Sequence, residues 1–304
     1  MKSNVVTQPA VVSVAAEDGL SLHSEAFGPP GGPVLLLIMG AMNPGLFWPV
    51  PLCDLLTAAG WRVLRYDHRD TGRSSTVDMA RHPYTLDDLT EDARAVLDAH
   101  GVDRAVVVGL SMGGYIAQLL ALRHPRRVRA LVLLSTTADH RPYMDATLGR
   151  LPRRSPLPPP TSGFLEFVAK AARARPPSAD AAAELQLDGW RAVHGGSLPF
   201  PEQLWRELIA QAMAITREPA AALHHAAAVD ASPSRTDWLP DIGVPARVIH
   251  GAYDPCLPLA HGRHLAAHLA QARLRVLDMG HLLPPPLWPC LIEEIMALVP
   301  CSAA

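Results

Sequence analysis

The sequence predicts an α/β fold with one mostly parallel, eight-stranded sheet, and two observations predict it. Short β-branched or aliphatic runs alternate with helical patterns over about the first 140 residues, and this alternation returns near residue 246. Such alternation is typical of parallel strands that carry helices on both faces. Between these two regions the alternation stops, so we expect an insertion into a single sheet.

The predicted strands are short segments bounded by turn residues. A hairpin is predicted where Glu17-Asp18-Gly19 separates the first two. The run 34–39 is apolar throughout, as a strand buried on both faces requires. The eight predicted strands are 11–16, 20–27, 34–39, 62–67, 104–110, 128–135, 246–254 and 273–280.

Helices are predicted between the strands and in the insertion. The first has Thr85 as its N-cap and Gly101 as its stop. The four helices of the core are predicted over 86–101, 112–124, 258–270 and 287–299. The Pro-rich run 151–160 continues neither a helix nor a central strand, and the Ala-rich stretch 161–230 favours helices. We therefore expect a core domain of 1–137 and 237–304 and a helical cap domain of 138–236.

Composition excludes several classes of protein. Of 304 residues, 49% are hydrophobic and the net charge is −2, which suits a packed core and gives no electrostatic reason to bind nucleic acid or an anionic membrane. The N-terminus does not resemble a signal peptide. Cysteines have no C-x-x-C spacing, so we expect reduced thiols and a cytoplasmic location; they are Cys53, Cys256, Cys290 and Cys301.

Residues 109–113, Gly-Leu-Ser-Met-Gly, form a G-x-S-x-G motif. The motif follows an apolar strand and opens a helix, which is the context in which it forms a nucleophile elbow. Glycines on both sides permit the sharp turn. Ser111 is the predicted nucleophile, and the helix N-terminus favours the negative charge that develops beside it.

A serine nucleophile needs a base and an acid that orients the base. His281 is the predicted base and Asp254 the predicted acid, because each follows one of the last two strands at the edge where α/β sheets gather their ligands. Two other acids remain open. Asp139 follows the strand 128–135, and Asp278 lies close to His281 in sequence.

Two backbone N–H groups are predicted to form the oxyanion hole. One belongs to Met112, directly after the nucleophile. The other belongs to Ala41, in the turn after strand 34–39.

The other histidines have ordinary interpretations. His250 is expected to pack at a strand end, and His224 and His225 are left without a role. A solvated helix face is favoured over a metal site for His261, His264 and His268, since no Cys or acidic ligand is near them in sequence. We expect no metal and no cofactor.

With these motifs the chain resembles the α/β-hydrolase fold family, and more narrowly the aclacinomycin methylesterase group, which acts on anthracycline polyketides. The resemblance runs nearly end to end and lies in 35–49, 65–75, 82–113 and 250–266. It implies that a loop beside the site is formed by Asp67, Arg69, Gly72 and Ser74.

The chain also departs from that group. Ala41 stands where the group has Gly, and Gly114-Tyr115 follows the elbow. The cap, 138–236, is the least similar region.

The resemblance and the motifs together predict a serine hydrolase that cleaves a carboxylic methyl ester of a bulky, largely apolar small molecule such as an aromatic polyketide. The apolar loop 39–48 beside the site agrees with such a substrate. Alternatives on the same residues are a lactonase, a C–C bond hydrolase or a cofactor-free peroxidase. A ligand-binding protein that has lost turnover is a further alternative.

Overall fold

A computed structural model describes residues 9–16 and 19–298 of the chain. Eight strands occupy this part of it: β1 (Ala10–Ala15), β2 (Ser21–Phe27), β3 (Val34–Ile38), β4 (Arg62–Tyr66), β5 (Ala105–Leu110), β6 (Val128–Leu134), β7 (Ala246–Gly251) and β8 (Ala272–Leu277). They form one sheet in the order β1-β2-β4-β3-β5-β6-β7-β8. The predicted fold class and strand set are confirmed, and the prediction for Glu17 and Asp18 lies outside the described residues.

Strand direction places the functional edge. β1 and β2 pair in antiparallel fashion, and β2 pairs with β4 in the same way. All other neighbours are parallel. The carboxyl ends of β3, β5, β6, β7 and β8 therefore meet at one edge of the sheet, where the loops that follow them converge.

Ten α-helices lie within the described residues. Five belong to the two outer stretches: α1 (Val50–Ala58), α2 (Leu86–Ala99), α3 (Met112–Arg123), α9 (Ala260–His268) and α10 (Trp288–Leu298). The other five are α4 (Arg141–Thr147), α5 (Ser162–Arg173), α6 (Ala179–Val193), α7 (Glu202–Ile215) and α8 (His224–Ala231). Helices α1 and α4 were not predicted from the sequence. No helix in the described part of the chain has the length and apolar character needed to cross a membrane.

Two apolar clusters lie on opposite faces of the sheet. In β5, Val107 belongs to one cluster, whereas Val106 and Val108 belong to the other. This explains the unbroken apolar run in β5, because a strand covered on both faces buries every side chain. Each buried aliphatic side chain contributes about 1.5–3 kcal/mol to folding.

Three aromatic rings join the segment 138–236 to the rest of the molecule. Phe47, which follows β3, stacks on Trp190 of α6 with ring centroids 5.0 Å apart and on Trp205 of α7 at 6.0 Å. Trp190 and Trp205 stack on each other at 4.2 Å. The helices α6 and α7 are thereby held against the loop that follows β3.

Candidate active site

Ser111 lies in the sharp turn between β5 and α3. Its backbone has φ 53° and ψ −118°, a left-handed conformation that costs free energy in a residue with a side chain. Three hydrogen bonds hold the turn. The Ser111 N–H donates to the Leu134 carbonyl at 3.0 Å, and the Ser111 carbonyl accepts from the Gly114 N–H at 2.9 Å and from Thr136 Oγ1 at 2.7 Å.

The two flanking glycines are required by space. A Cβ on Gly113 would lie 2.1 Å from the Ile38 carbonyl oxygen, and a Cβ on Gly109 would lie 2.3 Å from the Gly113 carbonyl oxygen. Contacts this short with backbone atoms leave no room for a methyl group. The two glycines of the G-x-S-x-G motif are therefore required by the close packing between β5, α3 and the end of β3.

Asp254 and His281 lie in the loops after β7 and β8 and contact each other. His281 Nδ1 donates to Asp254 Oδ2 at 2.8 Å, and the N–H groups of Cys256 and Leu257 donate to Asp254 Oδ1 at 2.9 Å each. Burial alone raises the pKa of the Asp254 carboxyl, but His281 and these hydrogen bonds outweigh it and lower that pKa below its ordinary value. Asp254 is therefore a buried carboxylate.

Two further contacts surround this pair. The backbone N–H of His281 donates to the carbonyl of Val193, the last residue of α6, at 2.9 Å. His250 Nε2 lies 2.6 Å from the Leu257 carbonyl and 3.4 Å from Asp254 Oδ2. The fully buried His250 thus packs at its strand end, as predicted, and also contacts the acid, which its position one residue before Gly251 did not indicate.

The two alternative acids have other partners. Asp139 binds the Arg141 guanidinium through both carboxylate oxygens, with Nε–Oδ1 and Nη2–Oδ2 distances of 2.7 Å. Asp278 accepts from the backbone N–H of Ser197. Within the described residues, neither has a hydrogen bond or ion pair with His281.

The segment after β3 lies against Ser111. A Cβ placed on Gly40 would be 3.4 Å from the Ser111 Cβ, so the next N–H, that of Ala41, lies near the nucleophile turn. Met42 has φ 67°, and its N–H donates to His225 Nδ1 at 2.9 Å. Met112, whose N–H is the other predicted donor, is buried at the start of α3.

A loop after β4 supports this segment. Asp67 Oδ1 accepts the Gly45 N–H at 2.8 Å, and Asp67 Oδ2 accepts the Arg73 N–H at 2.9 Å. Ser74 Oγ donates to the Asp67 carbonyl at 2.6 Å. Gly72 has φ 54° and passes so close to Asp67 that a Cβ there would lie 2.2 Å from its carboxylate. Arg69 forms a buried ion pair with Asp92 at 2.7 Å.

An apolar cavity of about 30 Å³ adjoins the site. Leu110, directly before Ser111, and Leu282, directly after His281, both line it. Aromatic side chains form much of its wall: Phe47, Trp48, Trp205 and Trp288. The positions flanking the predicted nucleophile and base therefore face one apolar space.

The Asp254–His281 pair and Cys256 together offer three possible metal-ligand atoms. These atoms lie within 4.8 Å of one another. A soft divalent cation could use an oxygen, a sulfur and a nitrogen together. Asp254 and His281 already share a hydrogen bond through Oδ2 and Nδ1, so a cation that used these two atoms would break it.

The prediction of a solvated histidine face on α9 is wrong for His261. This residue is fully buried, with Nδ1 2.8 Å from Thr137 Oγ1 and Nε2 2.9 Å from the Pro158 carbonyl. Helical spacing groups it with His264 and His268, but His261 alone of the three binds Thr137, in the segment that follows β6. His264 is partly buried and His268 is exposed, with their ring centroids 4.0 Å apart.

Comparison with known proteins agrees with this architecture. The alpha/beta hydrolase fold family matches residues 32–284. Rhodomycin D methylesterase DauP of Streptomyces sp. (strain C5) is 39% identical over 277 residues, 88% of this chain and 91% of that protein. Rhodomycin D methylesterase DnrP of Streptomyces peucetius is 38% identical over 275 residues, with the same coverage.

A solved structure is similar over nearly the whole chain. A hydrolase from Pseudomonas aeruginosa superimposes with a TM-score of 0.72 and 28% identity, covering 99% of this chain and 100% of that one. The two methylesterases and the family match support the prediction of a carboxylic ester hydrolase. The sheet order, the family match and these relatives lead to one conclusion: the chain belongs to the α/β-hydrolase fold family.

Proposed function

We propose that the protein is a serine hydrolase that cleaves the methyl ester of an aromatic polyketide. The observation that carries the proposal is the buried Asp254–His281 hydrogen bond at the sheet edge that also holds the Ser111 turn. Similarity to two rhodomycin D methylesterases over 88% of the chain supports the choice of a methyl ester.

In the proposed mechanism, Ser111 Oγ attacks the ester carbonyl carbon and His281 Nε2 takes the hydroxyl proton. Asp254 holds His281 in the tautomer that leaves Nε2 free and stabilises the imidazolium. The N–H groups of Ala41 and Met112 donate to the oxyanion, each contributing about 3 kcal/mol to transition-state stabilisation. His281 then protonates the departing methoxide to give methanol. Water, deprotonated by His281, then attacks the acyl carbon. His281 returns the proton to Ser111 Oγ as the acyl–oxygen bond breaks, and the free acid is released.

The apolar cavity supports a bulky, ring-containing substrate. Its aromatic wall offers stacking surfaces. Trp205 comes from the inserted segment, whereas Phe47 follows β3 and Trp288 begins α10. A volume of about 30 Å³ holds one or two water molecules, whereas ligand pockets measure about 300–1,000 Å³. The proposal therefore includes a displacement of α6 and α7, the helices of a cap formed by 138–236, when substrate enters.

The proposed location is the cytoplasm, and the proposed partner is a small-molecule ester only. Cys53, Cys256 and Cys290 are free thiols, which suits a reducing compartment.

A substrate panel tests the proposal. Purified protein is given an anthracycline methyl ester, p-nitrophenyl acetate and a simple aliphatic lactone, and methanol, nitrophenol and ring opening are measured. We expect the highest kcat/KM for the anthracycline ester. Faster turnover of the lactone or the acetate ester, with no methanol from the anthracycline, would contradict it.

A further inference from the structure

We propose that His225 is a positioning residue that fixes the oxyanion-binding segment, residues 39–42, from the inserted part of the chain. The inference rests on the ester hydrolysis proposed above, because the segment has this task only in that reaction. Four observations carry it: the hydrogen bonds of the His225 ring, the backbone of Met42, a second histidine at the other end of the segment, and the origin of His225 in α8.

The partners of His225 fix which of its nitrogens accepts. Its Nε2 donates to the Arg69 carbonyl at 2.9 Å, and its Nδ1 accepts the Met42 N–H at 2.9 Å. A carbonyl can only accept and a backbone N–H can only donate, so both bonds require the neutral Nε2–H tautomer. The ring is fully buried, and burial lowers the pKa of His225 to about 3. The acceptor nitrogen therefore stays unprotonated near neutral pH.

The backbone of Met42 needs such a partner. Its φ of 67° lies in the left-handed region, which costs a residue with a side chain on the order of 1 kcal/mol. Strained backbone persists only where neighbours hold it. The Met42 side chain is 46% exposed, so its packing contributes little, and the bond to His225 restrains the residue that follows Ala41.

A second imidazole holds the other end of the segment. His68 Nε2 donates to the Met39 carbonyl at 2.9 Å. The rings of His68 and His225 meet edge to face with centroids 5.5 Å apart. The Ala41 N–H thus lies between two backbone groups, Met39 C=O and Met42 N–H, that two buried histidines fix.

The two histidines come from different parts of the chain. His68 follows β4 in the core, whereas His225 lies in α8 of the segment 138–236. The inserted segment therefore contributes to the geometry of the oxyanion hole as well as to the wall of the cavity. A displacement of α8 would release the Met42 N–H and weaken transition-state stabilisation.

Two variants separate the two hydrogen bonds of the ring. In His225→Asn, the side-chain oxygen occupies the place of Nδ1 and keeps the acceptor for Met42. In His225→Gln, the longer side chain places its amide near Nε2 and keeps the donor for Arg69, but removes the Nδ1 acceptor. The matched control is His224→Ala on the same helix. The His224 ring binds Asp70, which lies outside the segment 39–42, with an Nδ1–Oδ2 distance of 3.1 Å.

The readouts are kcat and KM for the methyl ester of naphthoic acid, the inhibition constant of a naphthyl trifluoromethyl ketone, and the melting temperature. We expect His225→Gln to lower kcat about 10²-fold, as loss of an oxyanion donor does, with KM little changed and with the ketone bound correspondingly more weakly. His225→Asn and His224→Ala should keep kcat near the wild-type value.

Two results overturn the inference. One is wild-type kcat and ketone binding in His225→Gln. The other is an equal fall in kcat for His225→Gln and His225→Asn that follows the melting temperature, since this marks a structural role only. Ser111→Ala in the same assay separates the failures: turnover that survives this change refutes the proposed hydrolase mechanism itself, whereas turnover that depends on Ser111 but not on His225 refutes the positioning role alone.

Discussion

Asp254 binds His281 through one carboxylate oxygen and the backbone of its own loop through the other. Oδ2 accepts from His281 Nδ1 at 2.8 Å, while Oδ1 accepts the N–H groups of Cys256 and Leu257. The loop therefore fixes the orientation of the carboxylate independently of its hydrogen bond to the imidazole. Such a carboxylate orients a base by geometry and stabilises its protonated form by charge.

Replacement of Asp254 by Asn should lower kcat by up to about 10⁴-fold, the loss found when a triad acid becomes an amide. The amide can present its NH₂ group to His281 and favour the wrong tautomer. The measurement is turnover of one methyl ester by purified variants of matched folded fraction.

Asp139→Asn and Asp278→Asn are the matched controls. Asp139 is engaged with Arg141 and Asp278 with Ser197, so both variants should keep turnover within an order of magnitude of the wild type. If Asp139→Asn were the inactive variant instead, the assignment of the acid would be wrong.

Gly113→Ala should destabilise the protein by about 3 kcal/mol, because overpacking a tight core has costs of this size. The new methyl would lie 2.1 Å from the Ile38 carbonyl oxygen. Urea unfolding measures the change. Gly163→Ala is the control, since Gly163 lies in the first turn of α5 with nothing within 4 Å of an added Cβ. This change should be neutral or stabilising by up to about 1 kcal/mol. Equal effects of the two changes would contradict the packing argument.

His140 makes stability depend on pH. It is fully buried, neither ring nitrogen has a partner among the described residues, and burial lowers its pKa to about 3. In the unfolded chain the His140 ring takes up a proton as the pH falls through about 6.5, whereas in the folded chain it stays neutral until the pH approaches 3. Stability contributed by the neutral ring is therefore present above pH 6.5 and is lost as the pH falls toward 3, at about 1.4 kcal/mol per pH unit.

His140→Leu should remove this contribution. Between pH 7 and pH 5, the free energy of unfolding of the wild type should fall by about 2 kcal/mol more than that of the variant. Other buried histidines act in the same direction and leave a slope in both proteins. The account of His140 fails if the two proteins lose the same stability over this interval.

The ring stack of Phe47, Trp190 and Trp205 should control access to the cavity. Trp190→Ala removes two stacked pairs, each worth about 1 kcal/mol, and so favours displacement of α6. We expect KM for a naphthoate methyl ester to fall about fivefold, while KM for methyl acetate stays constant. An equal change in KM for both esters would show that the stack does not gate large substrates.

The sequence predicted most of the fold because its signals are local. Apolar runs mark strands buried on both faces, as in β5, and Thr85 as an N-cap marks the start of α2. The sharp turn at Ser111 was predictable because a G-x-S-x-G between strand and helix has a steric cause: an added Cβ at Gly109 or Gly113 would clash with backbone atoms.

Long-range contacts were not predictable in this way. His225 follows the β3 segment by about 180 positions, and nothing near it in sequence points to the Met42 N–H. The burial of His261 depends on Thr137 and Pro158, which lie more than 100 positions away. Helical periodicity shows which residues share a face, but only the packed structure shows what that face meets.

Covalent trapping of Ser111 tests the central claim most directly. Wild-type protein and Ser111→Ala are each treated with a p-nitrophenyl alkylphosphonate, and nitrophenol release and intact mass are measured. We predict one nitrophenol per wild-type chain, one phosphonyl adduct that maps to the peptide containing Ser111, loss of methyl ester hydrolysis, and no adduct on the alanine variant. Adduct formation or methyl ester turnover at the wild-type rate in Ser111→Ala would contradict the account.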